Sequence, residues 1–564
     1  MKNVLPFILC SVLLFSGCAK TEQTQPHDSS PSDVIADVSP EIIEENDDNI
    51  CYITLSDSKI SVDGKDISNA PGSGVYAAND IVFYLEGQSF TYGEGTKADE
   101  HSQEEADKHT VIHINEPGTY SLSGKLSAGQ IAVDLGEDAE EDPEAVVTLI
   151  LDGLDISCTV APGVIFYNVY ECGDKDNPTK DVDTSTAGAN VMIADGSINN
   201  VNGSYVARIY KSYELSEDGT EVIDSKKLHK YDAAFYSKMT MNVDGDDGIL
   251  NISAENEGLD SEMHLTVNGG VINIVSGNDG INTNEDGISV TTINGGTLRI
   301  RCDGSTGEGD GIDSNGWLVI NGGTVIAEAC SVSGDSGIDS DMGIHINGGT
   351  VIASGNMLDR IEGSSQTHAV FTFASQQDGG SYILKNADSE DVITASPENA
   401  FSILLVSSPE LQPGTYSFWN GSIKLAANSG QNAGGMFGGF GGQRPDNMDI
   451  PERAEMPGDM LIPEGTERPE DIAPPEGMEM PEGMQGSMPS EPFGGEQRPE
   501  VPEGGEMPQM PETPDGMESI APPDWMDGNQ RPDRTFENGQ MGEKSAEFII
   551  AEGANYFNSV EAAQ

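Results

Sequence analysis

Four short elements of this chain set an oxygen-bearing side chain beside an apolar one: Gly258-Leu259-Asp260-Ser261, Gly280-Ile281-Asn282-Thr283, Gly311-Ile312-Asp313-Ser314 and Gly337-Ile338-Asp339-Ser340. In extended backbone, neighbouring side chains leave on opposite faces. If Leu or Ile enters a core, then Asp260, Asn282, Asp313 and Asp339 face outward, Asp359 extends the series, and Glu262, Asn284, Asn315 and Asp341 follow two residues on. Carboxylates stacked at a strand spacing of about 4.8 Å repel by about 3–4 kcal/mol per pair at an effective dielectric near 20. A cation is therefore expected among them. Asp, Asn and backbone oxygens, with no His or Cys in the columns, select a hard ion, and their irregular spacing suits calcium better than magnesium. With Asp279 and Asp310 added, the candidate ligands are Asp260, Glu262, Asp279, Asn282, Asn284, Asp310, Asp313, Asn315, Asp339, Asp341 and Asp359. The competing reading is a solvated acidic face whose charge run is broken by interleaved Asn. The tandem Gly-Gly-x-Gly-x-Asp nonapeptide of calcium β-rolls is absent.

The elements that must position these residues repeat. Asn-Gly-Gly recurs with its Asn at 268, 294, 321 and 347, giving periods of 26 (294−268), 27 (321−294) and 26 (347−321). After each turn the residues alternate: Leu298, Ile300 and Cys302 share one face, and Thr297, Arg299 and Arg301 the other. A period of two means strand, and a unit this short cannot bury its apolar face alone, so it must stack on its neighbours. Asn-Gly between alternating runs is also a hairpin signal, which keeps an antiparallel meander in play. The constant period favours stacked coils: an all-β right-handed parallel β-helix with a C-terminal β cap and a long disordered segment rich in Gly, Pro, Met and Glu.

The chain has 564 residues and a formal net charge of −69. So acidic a surface excludes nucleic acid as a general partner and disfavours an unassisted anionic membrane surface, leaving neutral, cationic or metal-bridged partners. Residues 1–17 carry one Lys, an apolar run and then Ser16-Gly17-Cys18, the pattern of a bacterial lipoprotein signal with Cys18 as the lipidated residue. This expects a protein anchored on the extracellular side of a bacterial membrane, an ordinary secreted protein being the runner-up. Residues 18–49 read as a flexible spacer. Five cysteines follow Cys18, an odd number that argues against a full disulfide framework.

From residue 50 the chain reads as short β runs separated by Gly, Asp and Asn. Gly118-Thr119-Tyr120-Ser121-Leu122-Ser123-Gly124, Gly129-Gln130-Ile131-Ala132-Val133-Asp134, Leu149-Ile150-Leu151-Asp152-Gly153 and Ala233-Ala234-Phe235-Tyr236-Ser237-Lys238, followed by the Asn-Gly-Gly units, resemble a bacterial family of extracellular carbohydrate-binding proteins. The resemblance covers residues 50–422. It implies a right-handed parallel β-helix like that of pectate lyases, bound calcium, and binding of cellulose and polygalacturonate without cleavage. Where relatives carry Ser-Lys-Asp-Asp after the Gly-Ile pair, this chain has Ser261-Glu262-Met263-His264 and Thr283-Asn284-Glu285-Asp286, which keeps the oxygens and loses the Lys.

Residues 167–238 depart from regular coils and hold much of the scarce basic and aromatic character. Arg208, Tyr210, Lys211, Tyr213, Lys227, Lys230 and Tyr231 form the candidate glycan surface, since aromatic faces stack on sugars and Lys or Arg pairs with uronates. The alternative is an elaborated loop whose tyrosines cover a coil edge. The carbohydrate-binding domain with its cap is assigned to residues 50–425, a low-complexity segment to 426–543, where Gly-x-Gln-Arg-Pro-(Asp/Glu) recurs at 441–446, 495–500 and 528–533, and a terminal strand to 544–564. A lyase on such a fold needs a strong base near its metal. Arg299, Arg301 and Arg360 are available, but none sits in a recognisable catalytic pattern. A non-catalytic polysaccharide binder is therefore expected, with lyase or hydrolase and structural adhesin as alternatives.

Overall fold

In a computed structural model of the chain, residues 49–85, 97, 99–207, 209–215, 222–229, 231–430 and 544–563 are described, the segments 209–215 and 222–229 by backbone alone. They are almost entirely β, with one four-residue α-helix, Gln103–Ala106. Among them no helix is long and apolar enough to cross a membrane.

Three ladders of parallel strands make the body. The first runs from Gly118–Leu126 through Val147–Ser157, Ala189–Ile193, Met241–Gly245, Leu265–Val267, Val290–Ile293 and Trp317–Ile320 to Gly343–Ile346. The second begins at the far end of Val147–Ser157 and continues through Ile198–Gly203, Ile249–Ala254, Val271–Ser276, Thr297–Cys302 and Thr324–Glu328 to Thr350–Gly355. The third links Thr110–Ile114, Gly129–Val133, Val164–Phe166, Ala233–Ser237, Glu257–Ser261, Ile281–Thr283 and Ile312–Ser314.

The Asn-Gly-Gly turns are corners between ladders. Leu265–Val267 and Val271–Ser276 flank Asn268-Gly269-Gly270, yet each pairs with strands one repeat away and not with the other. This removes the antiparallel meander. The last glycine of each corner is left-handed, as Gly296 at φ +77 shows, a conformation that a side chain resists. The Asn amides stack: Asn294 Nδ2 donates to Asn268 Oδ1 at 2.9 Å, Asn321 to Asn294 at 3.0 Å and Asn347 to Asn321 at 3.0 Å.

Alternation then fills the core. Leu298, Ile300 and Cys302 are buried, as are Leu259, Ile281 and Ile312, within one continuous apolar cluster. The large sheet is mixed, because Phe401–Ser407 pairs antiparallel with the last coil strand, Thr350–Gly355. The cap has its own core, in which Phe371 stacks on Phe418 at 4.0 Å between centroids and on Phe557 at 5.1 Å. Two strands beyond the low-complexity segment complete it: Phe548–Ile550 beside Gly414–Asn420, and Ala554–Ala562 between His368–Gln377 and Ile423–Gly430. Asn399 fastens the cap to the stack by donating to the carbonyls of Cys302 (2.7 Å) and Ala329 (2.8 Å), and Glu328 Oε2 accepts the amides of Glu398 and Asn399.

Candidate functional site

One outward row of the third ladder changes chemistry halfway along. In successive register it carries Ala132, Ile165, Tyr236, Asp260, Asn282 and Asp313. The first three are buried under a second cluster that includes Phe83, Tyr84, Cys158, Val160, Val206 and Tyr231. From Asp260 onward the row presents oxygen. The inward neighbours Leu259, Ile281 and Ile312 are fully buried, so their packing aims the oxygens outward.

The oxygens of Asp260 converge with those of Asp232 and Glu257, one carboxylate oxygen of each lying within 4.8 Å of the others. Asp260 has no exposed surface and Glu257 keeps 5%. Asn284 Nδ2 donates to both oxygens of Asp260, at 2.8 and 3.0 Å. Asn282 Nδ2 donates to Glu257 Oε1 at 3.2 Å and to Asn284 Oδ1 at 3.3 Å, while Asn282 Oδ1 is buried and accepts no hydrogen bond. A buried acceptor left without a donor costs about 1–3 kcal/mol, and buried carboxylates persist when paired or when they coordinate a metal. Oxygen donors alone, three of them charged and one an orphaned amide carbonyl, fit a hard divalent cation of the calcium type.

A second acidic group follows along the stack. Burial, then the neighbouring Asp279 and Asp339, pushes Asp310 up to about 10. Asp339 rises to about 7 through burial, then Asp359, Asp313 and Asp341. Asp279 and Asp359 are raised as well, burial again being the leading cause. Backbone amides hold three of these groups: Asp310 N–H donates to Asp279 Oδ1 at 2.7 Å, Ser336 N–H to Asp310 Oδ1, and Ser340 N–H to Asp359 Oδ2 at 3.1 Å. Asp339 Oδ1 is buried without a hydrogen-bond partner.

The expected ligands thus sort into distinct places. Asp260, Asn282 and Asn284 share the first group, and Asp279, Asp310, Asp313, Asp339 and Asp359 lie along the second. Glu262 instead accepts from the Tyr236 hydroxyl at 2.8 Å, Asn315 donates to the Asn284 carbonyl at 3.1 Å, and Asp341 stands exposed. Two members of the first group were not anticipated. Glu257 precedes Asp260 by three residues, as Asp279 precedes Asn282 and Asp310 precedes Asp313, so the same offset would have found it. Asp232 has no such signal, because it enters from the preceding coil, its carbonyl accepting the Glu257 amide at 3.0 Å.

Among the expected glycan residues, Tyr210, Lys211, Tyr213 and Lys227 belong to the antiparallel pair Ile209–Leu215 and Val222–His229, with Tyr210 opposite Lys227. Arg208, Lys230 and Cys18 lie outside the described residues. Tyr231 requires a correction. It keeps 3% of its surface and meets Tyr167 and Tyr236 edge to face, at 5.3 and 5.5 Å, so its ring belongs to the core and offers no face to a sugar.

Stacked parallel ladders, one with acids and amides along part of its outer face, define a nearly all-β protein. The model of the carbohydrate-binding domain-containing protein family matches residues 108–395, about half of the chain, and the chain belongs to that family. A solved structure of the polysaccharide lyase-like protein from C. thermocellum, a gadolinium derivative, is similar at 21% identity over 56% of this chain and 94% of that one, with a TM-score of 0.33, too low to bear on fold or function. No curated protein matches.

Proposed function

We propose that this chain is a non-catalytic, surface-tethered protein that binds plant-type or acidic polysaccharide on a calcium-stabilised right-handed parallel β-helix. Family membership over residues 108–395 is the observation that carries the binding role. The parallel register of all three ladders supports the helical stack, and the orphaned Asn282 carbonyl among Asp232, Glu257 and Asp260 supports the ion. Tethering rests on the Ser16-Gly17-Cys18 sequence.

A lyase or hydrolase on the same fold is the second reading. It is disfavoured by where the bases sit: Arg299 and Arg301 belong to the second ladder and the oxygen groups to the third, Arg301 faces Glu398 at 3.4 Å, and Arg360 faces Glu362 at 2.9 Å. Pull-down on insoluble cellulose and on immobilised polygalacturonate, with and without chelator, tests the binding role. Retention on at least one glycan is expected, and retention on neither would refute it. Accumulation of unsaturated products or new reducing ends would make the protein an enzyme.

A further inference from the structure

The three ladders differ in what covers them. The outer face of the first carries the segment 171–187, where Thr184 Oγ1 donates to Thr266 Oγ1 at 2.8 Å and Asn242 Nδ2 donates to the Thr184 carbonyl at 2.8 Å. That of the third is buried under the aromatic cluster in its first half and lined with acids in its second. The second ladder keeps exposed side chains along its middle: Ile198 is 59% exposed, Val275 37%, and Arg299 points to solvent.

Exposure here coincides with an absence of acids. Its four strands Ile198–Gly203, Ile249–Ala254, Val271–Ser276 and Thr297–Cys302 contain no Asp or Glu, in a chain that has 96. Acids resume on the flanking strands, at Asp155 opposite Asn200 and Glu328 opposite Arg301, and in the turns beyond the strand ends, at Asp246, Asp247, Glu255 and Asp303. The central outward row is an amide ladder that ends on a cation. Asn251 Nδ2 donates to Asn200 Oδ1 at 3.0 Å, Asn273 Nδ2 donates to Asn251 Oδ1 at 2.9 Å, and the next position in register is Arg299. Each amide retains at least one N–H and one carbonyl lone pair after stacking. Among the described residues no carboxylate lies within ion-pair distance of Arg299, whereas Arg301 beside it meets Glu398.

We infer that this face is the saccharide platform and that its ligand is an acidic polysaccharide lying along the stack, across the strands, with a uronate carboxylate on Arg299 and hydroxyls on the amides of Asn251 and Asn273. The inference rests on the carbohydrate-binding reading above. Charge complementarity selects the ligand. The four middle strands present no carboxylate to repel an anion, the flanking Asp155 and Glu398 are paired with Lys125 and Arg301, and a guanidinium grips a carboxylate through two parallel N–H bonds. The same strands have no aromatic ring on which a neutral, flat glucan would stack. Four strands span about 14 Å at the strand spacing, so successive sugars would meet successive strands. The net charge of the whole chain does not forbid this, since at physiological ionic strength charges act over about 8 Å and the local strip decides. Beyond Arg299 the row passes to Ile326 and Ile352, which the cap covers, so the platform is closed at that end.

The test compares the full-length protein with its Arg299→Glu, Arg299→Lys and Asn273→Asp variants, in calcium-containing buffer, for binding to polygalacturonate, to its methyl-esterified form and to cellulose. Arg299→Glu should weaken polygalacturonate binding about tenfold or more, Asn273→Asp should act in the same direction, and Arg299→Lys should retain an intermediate affinity. Melting temperatures of the Arg299 variants should stay near that of the parent, because that side chain is exposed, while Asn273→Asp also gives up the amide bond to Asn251 and should melt slightly lower. Undiminished polygalacturonate binding by Arg299→Glu would overturn the platform. Binding of cellulose alone by the parent protein would overturn the acidic ligand and leave the carbohydrate-binding reading standing. Binding of no glycan would remove both.

Discussion

The two halves of the third ladder share one backbone register and opposite surface chemistry. Ala132, Ile165 and Tyr236 are followed in the same row by Asp260, Asn282 and Asp313, and the inward residues on both sides of the change are alike, Phe235 giving way to Leu259 and Ile281. The stack itself is therefore indifferent to what its outer face does. Where that face is apolar, Ile81, Phe83, Tyr84, Ala106, Val206 and Tyr231 cover it. Where it is acidic, amide donors meet the carboxylates, Asn284 Nδ2 reaching both oxygens of Asp260 and the Asp310 N–H reaching Asp279. Tyr236 is the hinge between the two regimes, its ring in the aromatic cluster and its hydroxyl on Glu262.

The strongest way to break the comparison lies in the covered half. Tyr236→Ala should cost about 3–5 kcal/mol, the range for deleting a buried aromatic ring, measured by denaturant unfolding, and the loss should be the same with calcium or with chelator. In the oxygen half, Asp260→Asn should instead abolish the calcium-dependent gain in stability. That gain is about 2.7 kcal/mol when free calcium is a hundredfold above its dissociation constant, read as the difference in melting between calcium and chelator. An undiminished calcium response would place the ion elsewhere.

The pH response of the chelated protein sharpens the contrast. Asp339 and Asp310 have folded-state values of about 7 and about 10, above their ordinary carboxylate value, so the folded protein holds protons that the unfolded chain has released. Their contribution is complete below about pH 4 and is lost as pH rises through about 7 for Asp339 and toward 10 for Asp310, at up to about 1.4 kcal/mol per pH unit per group. Melting temperature in chelator should thus fall as pH rises from 5 to 8, and calcium should flatten the slope. The smallest effect belongs to the exposed corner ladder, where Asn294→Ala should cost about 1 kcal/mol or less.

Much of this was legible in the sequence, and the reasons are local. An Ile beside an Asp in extended chain fixes which of the two faces the core, so Asp260, Asn282 and Asp313 could be placed outward from their neighbours alone. The corner role of Asn-Gly-Gly was less secure, since the same dipeptide closes hairpins and only pairing one repeat away separates the cases. Asp232 was invisible because its partners Glu257 and Asp260 come from the following coil. Tyr231 was misplaced because tyrosine among lysines resembles a binding surface in composition, while in the fold its ring is drawn between Tyr167 and Tyr236. The platform on the second ladder depends on which faces other segments cover, and no local pattern reports that.

The closing strand Ala554–Ala562 lies parallel to His368–Gln377 inside the cap, although residues 431–543 intervene after its other neighbour, Ile423–Gly430. Synthesis therefore delivers every coil, and most of the cap, long before the piece that seals Phe371 and Phe418 beneath Phe548 and Phe557. At a few to some twenty residues per second, the unfinished end waits for several seconds or more with an unpaired edge, a window in which a chaperone or a neighbouring nascent chain competes for that edge.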